Sequence, residues 1–117
     1  MAFTITRKLE QVPSYAVLSE LAREKQVRIT GNECIGSFSC RGVAGDYEFG
    51  QDRIHGEFAG HGVTGEFTFG IGAVAVTVTD KPFWLPEKLL AKKITEGLDA
   101  FCNELGSRRP PARPRRG

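Results

Sequence analysis

Residues 42–58 read GVAGDYEFGQDRIHGEF and residues 62–78 read GVTGEFTFGIGAVAVTV, so the chain carries nearly the same pattern twice. In both copies the apolar residues stand at alternate positions, which is the period of a β-strand with one buried face. The duplication therefore predicts a β-hairpin used twice within one antiparallel sheet. The equivalent apolar positions are Val43 and Val63, Tyr47 and Phe67, Phe49 and Phe69, and Ile54 and Val74.

Apolar residues five positions apart predict the turns of this sheet. A two-residue turn between the members of such a pair places them opposite each other on one face. We therefore expect a five-strand antiparallel meander at roughly 34–80. Gly45 and Gly65 then lie on the buried face opposite Phe58 and Val78, where either close packing or a ligand pocket would use the missing side chain. The pairs are Phe38 and Val43 around Cys40-Arg41, Phe49 and Ile54 around Gln51-Asp52, Phe58 and Val63 around Gly60-His61, and Phe69 and Val74 around Ile71-Gly72.

Amphipathic segments predict helices that cover one face of the sheet. Residues 86–105 place apolar side chains every three or four positions, and residues 13–25 repeat the pattern more briefly. Gly106 is the predicted end of the second helix. Residues 3–9 alternate as a strand, whereas VRI at 27–29 does not distinguish a strand from a loop. The predicted fold is α+β, in the order β-α-β5-α. The stripe of the second helix consists of Leu90, Ile94, Leu98, Phe101 and Leu105.

The charge of the chain is unevenly distributed. Residues 106–117, GSRRPPARPRRG, hold five arginines and no acidic residue, whereas residues 1–105 carry more acidic than basic side chains. We predict one folded domain, residues 1–105, and a disordered basic tail, because the tail has too few apolar residues to fold. The tail either contacts a polyanion or is a passive terminus. Its arginines are Arg108, Arg109, Arg113, Arg115 and Arg116.

Cysteine usage and hydropathy predict a cytoplasmic protein. The N-terminus, MAFTITRKLE, lacks the apolar core of a signal peptide. No run approaches the roughly 18 apolar residues of a membrane-spanning helix. Cys34, Cys40 and Cys102 are odd in number and lack a paired spacing, which favours reduced thiols.

The stretches GSFSCRGVAGDYEF at 36–49 and TDKPFWLPEKLL at 79–90, followed by an amphipathic C-terminal helix, resemble small bacterial proteins associated with polyhydroxyalkanoate operons. The resemblance covers roughly residues 1–105, although this chain repeats the G-V-x-G hairpin and adds the arginine tail. It implies a non-enzymatic accessory role, acting at a polymer granule surface, and it brings no catalytic residue.

Polar residues on the outward face of the meander form a candidate site. In the predicted register Glu48 and Glu66 flank His55 on the neighbouring strands, and a histidine between two carboxylates can serve as a general base. The same arrangement is typical of the polar cover of a solvated sheet. The histidine and cysteine spacings match no zinc motif, so we predict no metal and no cofactor.

Phe83 and Trp84, at the junction of the sheet and the second helix, are the candidate partner contacts. They are either exposed, for a protein partner or a second copy, or buried at the helix entry. The first functional hypothesis is a non-catalytic accessory, binding or structural module that acts through its surface. The alternatives are a small-ligand carrier with a pocket between sheet and helices, and an enzyme that uses His55 with Glu48 or Glu66.

Overall fold

The computed structural model describes residues 2–9 and 12–108 of the chain. The elements of this part are β1 (Phe3–Leu9), α1 (Tyr15–Glu24), β2 (Arg28–Gly31), β3 (Ile35–Cys40), β4 (Val43–Gly50), β5 (Arg53–Gly60), β6 (Val63–Gly70), β7 (Gly72–Asp80) and α2 (Glu87–Arg108). The described strands form one antiparallel sheet in the order β1-β7-β6-β5-β4-β3-β2, which confirms the α+β class. The ambiguous segment at 27–29 contributes to β2, so the meander gains one strand.

The β3–β4 and β5–β6 hairpins turn one residue later than the apolar spacing predicts. Their turn residues are Arg41-Gly42 and His61-Gly62, with φ values of 51° and 87° in the first and 55° and 83° in the second. Two-residue hairpin loops of type I′ need positive φ at both positions, and glycine adopts it without steric cost. Because each turn lies one residue later than predicted, the strand pairing shifts by two residues. A shift of two residues keeps the alternation of side chains, so the inward-facing residues stay as predicted.

The other hairpins keep the predicted register. Phe49 pairs with Ile54 around Gln51-Asp52, and Phe69 pairs with Val74 around Ile71-Gly72. The predicted opposition of Gly45 to Phe58 and of Gly65 to Val78 is also confirmed. The pairings of Phe38 with Val43 and of Phe58 with Val63 are wrong, because the shifted turns place Phe38 opposite Gly45 and Phe58 opposite Gly65.

Aromatic rings cover the glycines of the inner sheet face, which is the face toward the helices. A Cβ atom added to Gly45 would lie 2.6 Å from Phe38 Cζ, and one added to Gly65 would lie 2.6 Å from Phe58 Cζ. Only a residue without a side chain allows a neighbouring ring to approach the backbone so closely. Close packing, rather than a ligand, therefore occupies the space over Gly45 and Gly65.

Both helices pack on the inner face, as predicted, each through an aromatic side chain. The Tyr15 ring of α1 lies with its centroid 6.4 Å from that of Tyr47 and 6.0 Å from that of Phe49. The Phe101 ring of α2 meets Phe69 edge-on at 5.6 Å. The core joins sheet and helices. Its main buried residues are Leu9, Leu21, Tyr47, Ile54, Phe69, Val74, Leu98 and Leu105.

Ion pairs tie α2 to β1 and to α1. Arg7 Nε donates to Asp99 Oδ1 at 2.8 Å, which fixes α2 over the edge strand β1. Lys25, the C-cap of α1, places its Nζ 3.5 Å from Glu104 Oε2 of α2. Since the side chains of both pairs are partly exposed, we expect each pair to contribute about 0.2–1 kcal/mol to the free energy of unfolding.

Helix α2 is longer at its C-terminus than the sequence predicts. It starts directly after Pro86, whose carbonyl accepts the Leu90 N–H at 3.1 Å. It continues through Gly106 to Arg108, so residues 106–108 are helical rather than part of the predicted disordered tail. Glycine inside a helix costs only about 1 kcal/mol relative to alanine, so its presence does not force a stop. Among the described residues, neither helix is both long and apolar enough to cross a membrane.

Candidate functional site

A cavity of about 550 Å³ lies between the inner sheet face and the two helices. The half-buried rings of Phe38, Phe58 and Phe67 form part of its floor. Leu21 of α1 and Phe101 of α2 stand in its walls. The cavity exists because α1 lies nearest β2 and α2 nearest β1, which are the opposite edges of the sheet. The helices therefore leave the middle of the apolar face partly uncovered.

Polar groups in the cavity lining are contributed by Tyr15, Tyr47, Lys25 and Glu104. The Tyr47 hydroxyl donates to the Asn32 carbonyl at 2.8 Å. Burial raises the pKa of Tyr47 above its usual value, and the neighbouring Tyr15 adds to the rise. Lys25 and Glu104 pair with each other across the two helices. These groups are largely committed to partners within the chain, so the cavity offers a mainly apolar surface.

The sequence predicted that the pocket of a small-ligand carrier would lie beneath Gly45 and Gly65. Neither glycine lines the cavity, because the rings of Phe38 and Phe58 cover them and form part of the cavity floor instead. The available signal was the row of large apolar residues on the inner face, which extends across the middle of the sheet, whereas α1 lies nearest β2 and α2 nearest β1. Phe58 and Phe67 belong to this row and keep part of their surface exposed. How far apart two helices pack on a sheet does not follow from their stripe patterns, so the cavity itself was not predictable.

On the opposite, outer face, the structure brings together only part of the predicted polar site. His55 Nε2 lies 3.4 Å from Glu48 Oε1, with both side chains about half exposed. The prediction that Glu66 also flanks His55 is wrong, because the register places Thr68 opposite His55 and Glu66 opposite Glu57. The turn at His61-Gly62, rather than one residue earlier, accounts for this shift. His55 therefore has a carboxylate on one side and a hydroxyl on the other.

An acidic row crosses the outer face beside this pair. Asp46, Glu57 and Glu66 lie directly opposite one another on β4, β5 and β6. Like charges in this position repel, and the Glu57 N–H offsets part of the repulsion by donating to Asp46 Oδ1 at 3.2 Å. The outer face of the sheet therefore carries a concentrated negative charge.

The aromatic pair at the end of β7 is exposed. Phe83 is 96% exposed and Trp84 is 67% exposed, so the alternative of burial at the helix entry is wrong. The loop that carries them is held by local bonds. Lys81 Nζ donates to the Leu85 carbonyl at 2.7 Å, and the Leu85 N–H donates to the Pro82 carbonyl at 3.1 Å. The pair is thus presented to solvent by a hydrogen-bonded turn.

The predicted polyanion contact of the tail falls mostly outside the described residues. Arg109, Arg113, Arg115 and Arg116 lie beyond them, and Arg108 is the last residue of α2. The tail contact remains a prediction.

Within the described ranges, no group of three or more histidine, cysteine, aspartate or glutamate side chains is placed to hold a metal ion. Comparisons of the chain with protein-family models, with curated proteins and with solved structures gave no match.

Proposed function

We propose that the protein binds an apolar small molecule in the cavity between the sheet and the helices. The cavity carries this proposal. Its volume of about 550 Å³ lies within the range of about 300–1,000 Å³ that is typical of small-molecule sites. Such sites share a lining that is mainly apolar and aromatic, with a small number of polar groups. The cavity has this kind of lining, with aromatic residues in its floor and walls from both helices.

The lining favours a ligand that is mostly apolar, such as an acyl chain or an aromatic ring system. Phe58 and Phe67 keep exposed ring surface in the cavity, and covering it releases about 25 cal/mol for each Å² removed from water. A charged ligand would lose hydration without gaining a partner, because Lys25 and Glu104 already pair with each other.

A leucine placed at Gly97 tests the cavity directly. Gly97 lines the cavity, and a Cβ atom added there would meet no atom within 4 Å, so the new side chain enters open space without straining the fold. We expect Gly97→Leu to weaken binding of the uncharged fluorescent probe N-phenyl-1-naphthylamine by roughly tenfold, which corresponds to about 1.4 kcal/mol. The measurement is a fluorescence titration with the full chain.

Asn103→Leu is the matched control, because Asn103 is exposed on the same helix and does not line the cavity. It adds the same side chain and should leave the probe affinity within about twofold of the wild type. Absence of probe binding, or equal binding by the wild type and Gly97→Leu, would show that the cavity is not the site.

The second candidate function is a non-catalytic accessory module that acts through its surface on a protein assembly or a polymer granule. The exposure of Phe83 and Trp84 favours it, because a large apolar pair in solvent is typical of contact surfaces. The test is binding of the purified chain to isolated polyhydroxyalkanoate granules. Loss of binding on the change of Phe83 and Trp84 to alanine is expected, and granule binding that survives this change would exclude the aromatic pair as the contact.

A further inference from the structure

The aromatic pair belongs to a larger surface that combines exposed apolar and cationic side chains. Leu89, in the first turn of α2, is 47% exposed and follows Trp84 by five residues, so it adds an exposed apolar side chain at the start of the helix. Lys88 and Lys92 are four residues apart on α2, as are Leu89 and Lys93, so these side chains lie beside one another on its exposed side. We call Phe83, Trp84, Lys88, Leu89, Lys92 and Lys93 the junction patch.

The charge around the junction patch differs in sign from that of the outer sheet face. Residues 80–96 hold four lysines and three carboxylates, those of Asp80, Glu87 and Glu96, so the lysines are in excess. The outer sheet face instead carries Asp46, Glu57 and Glu66 in one row. A negatively charged planar surface would therefore attract the molecule by the junction patch and repel it by the outer face.

We propose that the junction patch docks on an anionic lipid surface, with Phe83 and Trp84 entering the headgroup region and the lysines of α2 contacting the headgroups. Tryptophan beside lysine is the composition of segments that lie at membrane–water interfaces. Lysine is depleted at protein–protein interfaces, so its density here disfavours a protein partner or a second copy. This inference specifies the partner of the second candidate function and does not depend on the cavity.

The turn that carries Phe83 and Trp84 reduces the ordering that docking requires. Pro82 and Pro86 flank the pair, and the hydrogen bonds of Lys81 and Leu85 hold the backbone between them. A rigid presentation of apolar side chains loses less conformational freedom on binding than a mobile loop would.

Trp84 is the only tryptophan of the chain, so its fluorescence reports on the junction patch alone. Vesicles of phosphatidylcholine mixed with phosphatidylglycerol should shift the Trp84 emission to the blue and sediment with the full chain. Vesicles of phosphatidylcholine alone should bind more weakly. Phe83→Ala, and separately the pair Lys92→Glu with Lys93→Glu, should each weaken sedimentation by roughly tenfold or more, since one removes apolar contact and the other reverses the charge.

Ile71→Ala is the matched control, because Ile71 is 74% exposed at the other end of β7. This variant should bind the anionic vesicles as the wild type does. An unshifted Trp84 emission, or equal loss of binding with Ile71→Ala and Phe83→Ala, would overturn the proposal. Self-association that Phe83→Ala abolishes would also overturn it in favour of a second copy. Granule binding that depends on Trp84 without vesicle binding would reject the lipid surface and leave the second candidate function standing.

Discussion

Gly56 lies in the middle of the sheet beneath a ring of the neighbouring strand. A Cβ atom there would lie 2.7 Å from Phe67 Cζ and would also meet the Asp46 carbonyl oxygen. We expect Gly56→Ala to lower the free energy of unfolding by about 1–3 kcal/mol, because a packed strand cannot move aside for the methyl group. Gly50→Ala is the control, since its nearest atom would be Arg53 Cγ at 3.5 Å. Urea denaturation of both variants measures the difference, and equal losses would contradict the packing role of Gly56.

The thiols of the chain differ in their surroundings. Burial raises the pKa of the Cys102 thiol, the Asp99 carboxylate adds to this rise, and Arg7 partly opposes it. Cys34, in contrast, is exposed. We expect iodoacetamide at mildly alkaline pH to alkylate Cys102 roughly tenfold more slowly than Cys34, because only the thiolate reacts and access is restricted. Mass spectrometry of the labelled peptides gives both rates, which should converge in denaturant. Equal rates in the folded protein would argue against the packing of Cys102 of α2 against the core.

The two copies of the repeated hairpin are equivalent in sequence but not in packing. Phe69 is 9% exposed and contacts Phe101 of α2, whereas Phe49 is only half-buried and contacts Tyr15 of α1. Phe69→Ala should therefore cost about 3–5 kcal/mol of the free energy of unfolding, and Phe49→Ala should cost less. Thr68→Ala, on the outer face, should change the stability by no more than about 0.5 kcal/mol. Denaturant titrations of the three variants check this order, and a larger loss for Thr68→Ala than for Phe69→Ala would contradict the assigned faces.

At the level of strands and helices, the sequence correctly predicted which face of the sheet the apolar residues occupy. It predicted the strand register correctly for β4 with β5 and for β6 with β7, but not for β3 with β4 or for β5 with β6. Alternation assigns Phe49 and Ile54 to the buried face whichever turn joins them, because a shift of two residues keeps the parity. The register of β5 against β6 is set by the turn at His61-Gly62. The turn forms there because both of its residues need positive φ, although the spacing of Phe58 and Val63 predicted a turn one residue earlier. For the same reason Glu66 was misplaced relative to His55, while Glu48 was placed correctly.

For the whole molecule, the proposed binding of an apolar compound between the two helices predicts that stability depends on the concentration of that compound. A compound that binds only the folded state stabilises it by about 2.7 kcal/mol at a concentration of 100 times its Kd. We expect N-phenyl-1-naphthylamine to raise the Tm of the wild type, and of Asn103→Leu, more than that of Gly97→Leu. Differential scanning calorimetry over a concentration series measures the shift. Equal shifts in all three proteins would place the binding outside the cavity.

The sequence alone could not predict that the junction patch is exposed or that the cavity is present, and the reason is the same for both. Both depend on which surfaces remain uncovered once all elements have packed. The apolar character of Trp84 or Phe58 predicts burial as readily as contact, and only the final arrangement distinguishes the two. The charges of α2 were visible in the sequence, but their position beside Phe83 became apparent only with the fold.

The pairing of β1 with β7 covers an edge of the sheet that would otherwise be open. β7 contains the uncharged run AVAVTV at 73–78, which is the composition of segments that pair with copies of themselves. β1 covers the whole of this run, from Phe3 opposite Val78 to Lys8 opposite Ala73, and places charged Arg7 and Lys8 near the sheet edge. Removal of residues 2–9 would leave β7 as an open edge, and we expect such a chain to form thioflavin-binding aggregates that the full chain does not form. A truncated chain that stays monomeric by light scattering would show that β7 needs no such cover. We therefore expect the N-terminal strand to keep the backbone of β7 from pairing with a second copy of the chain.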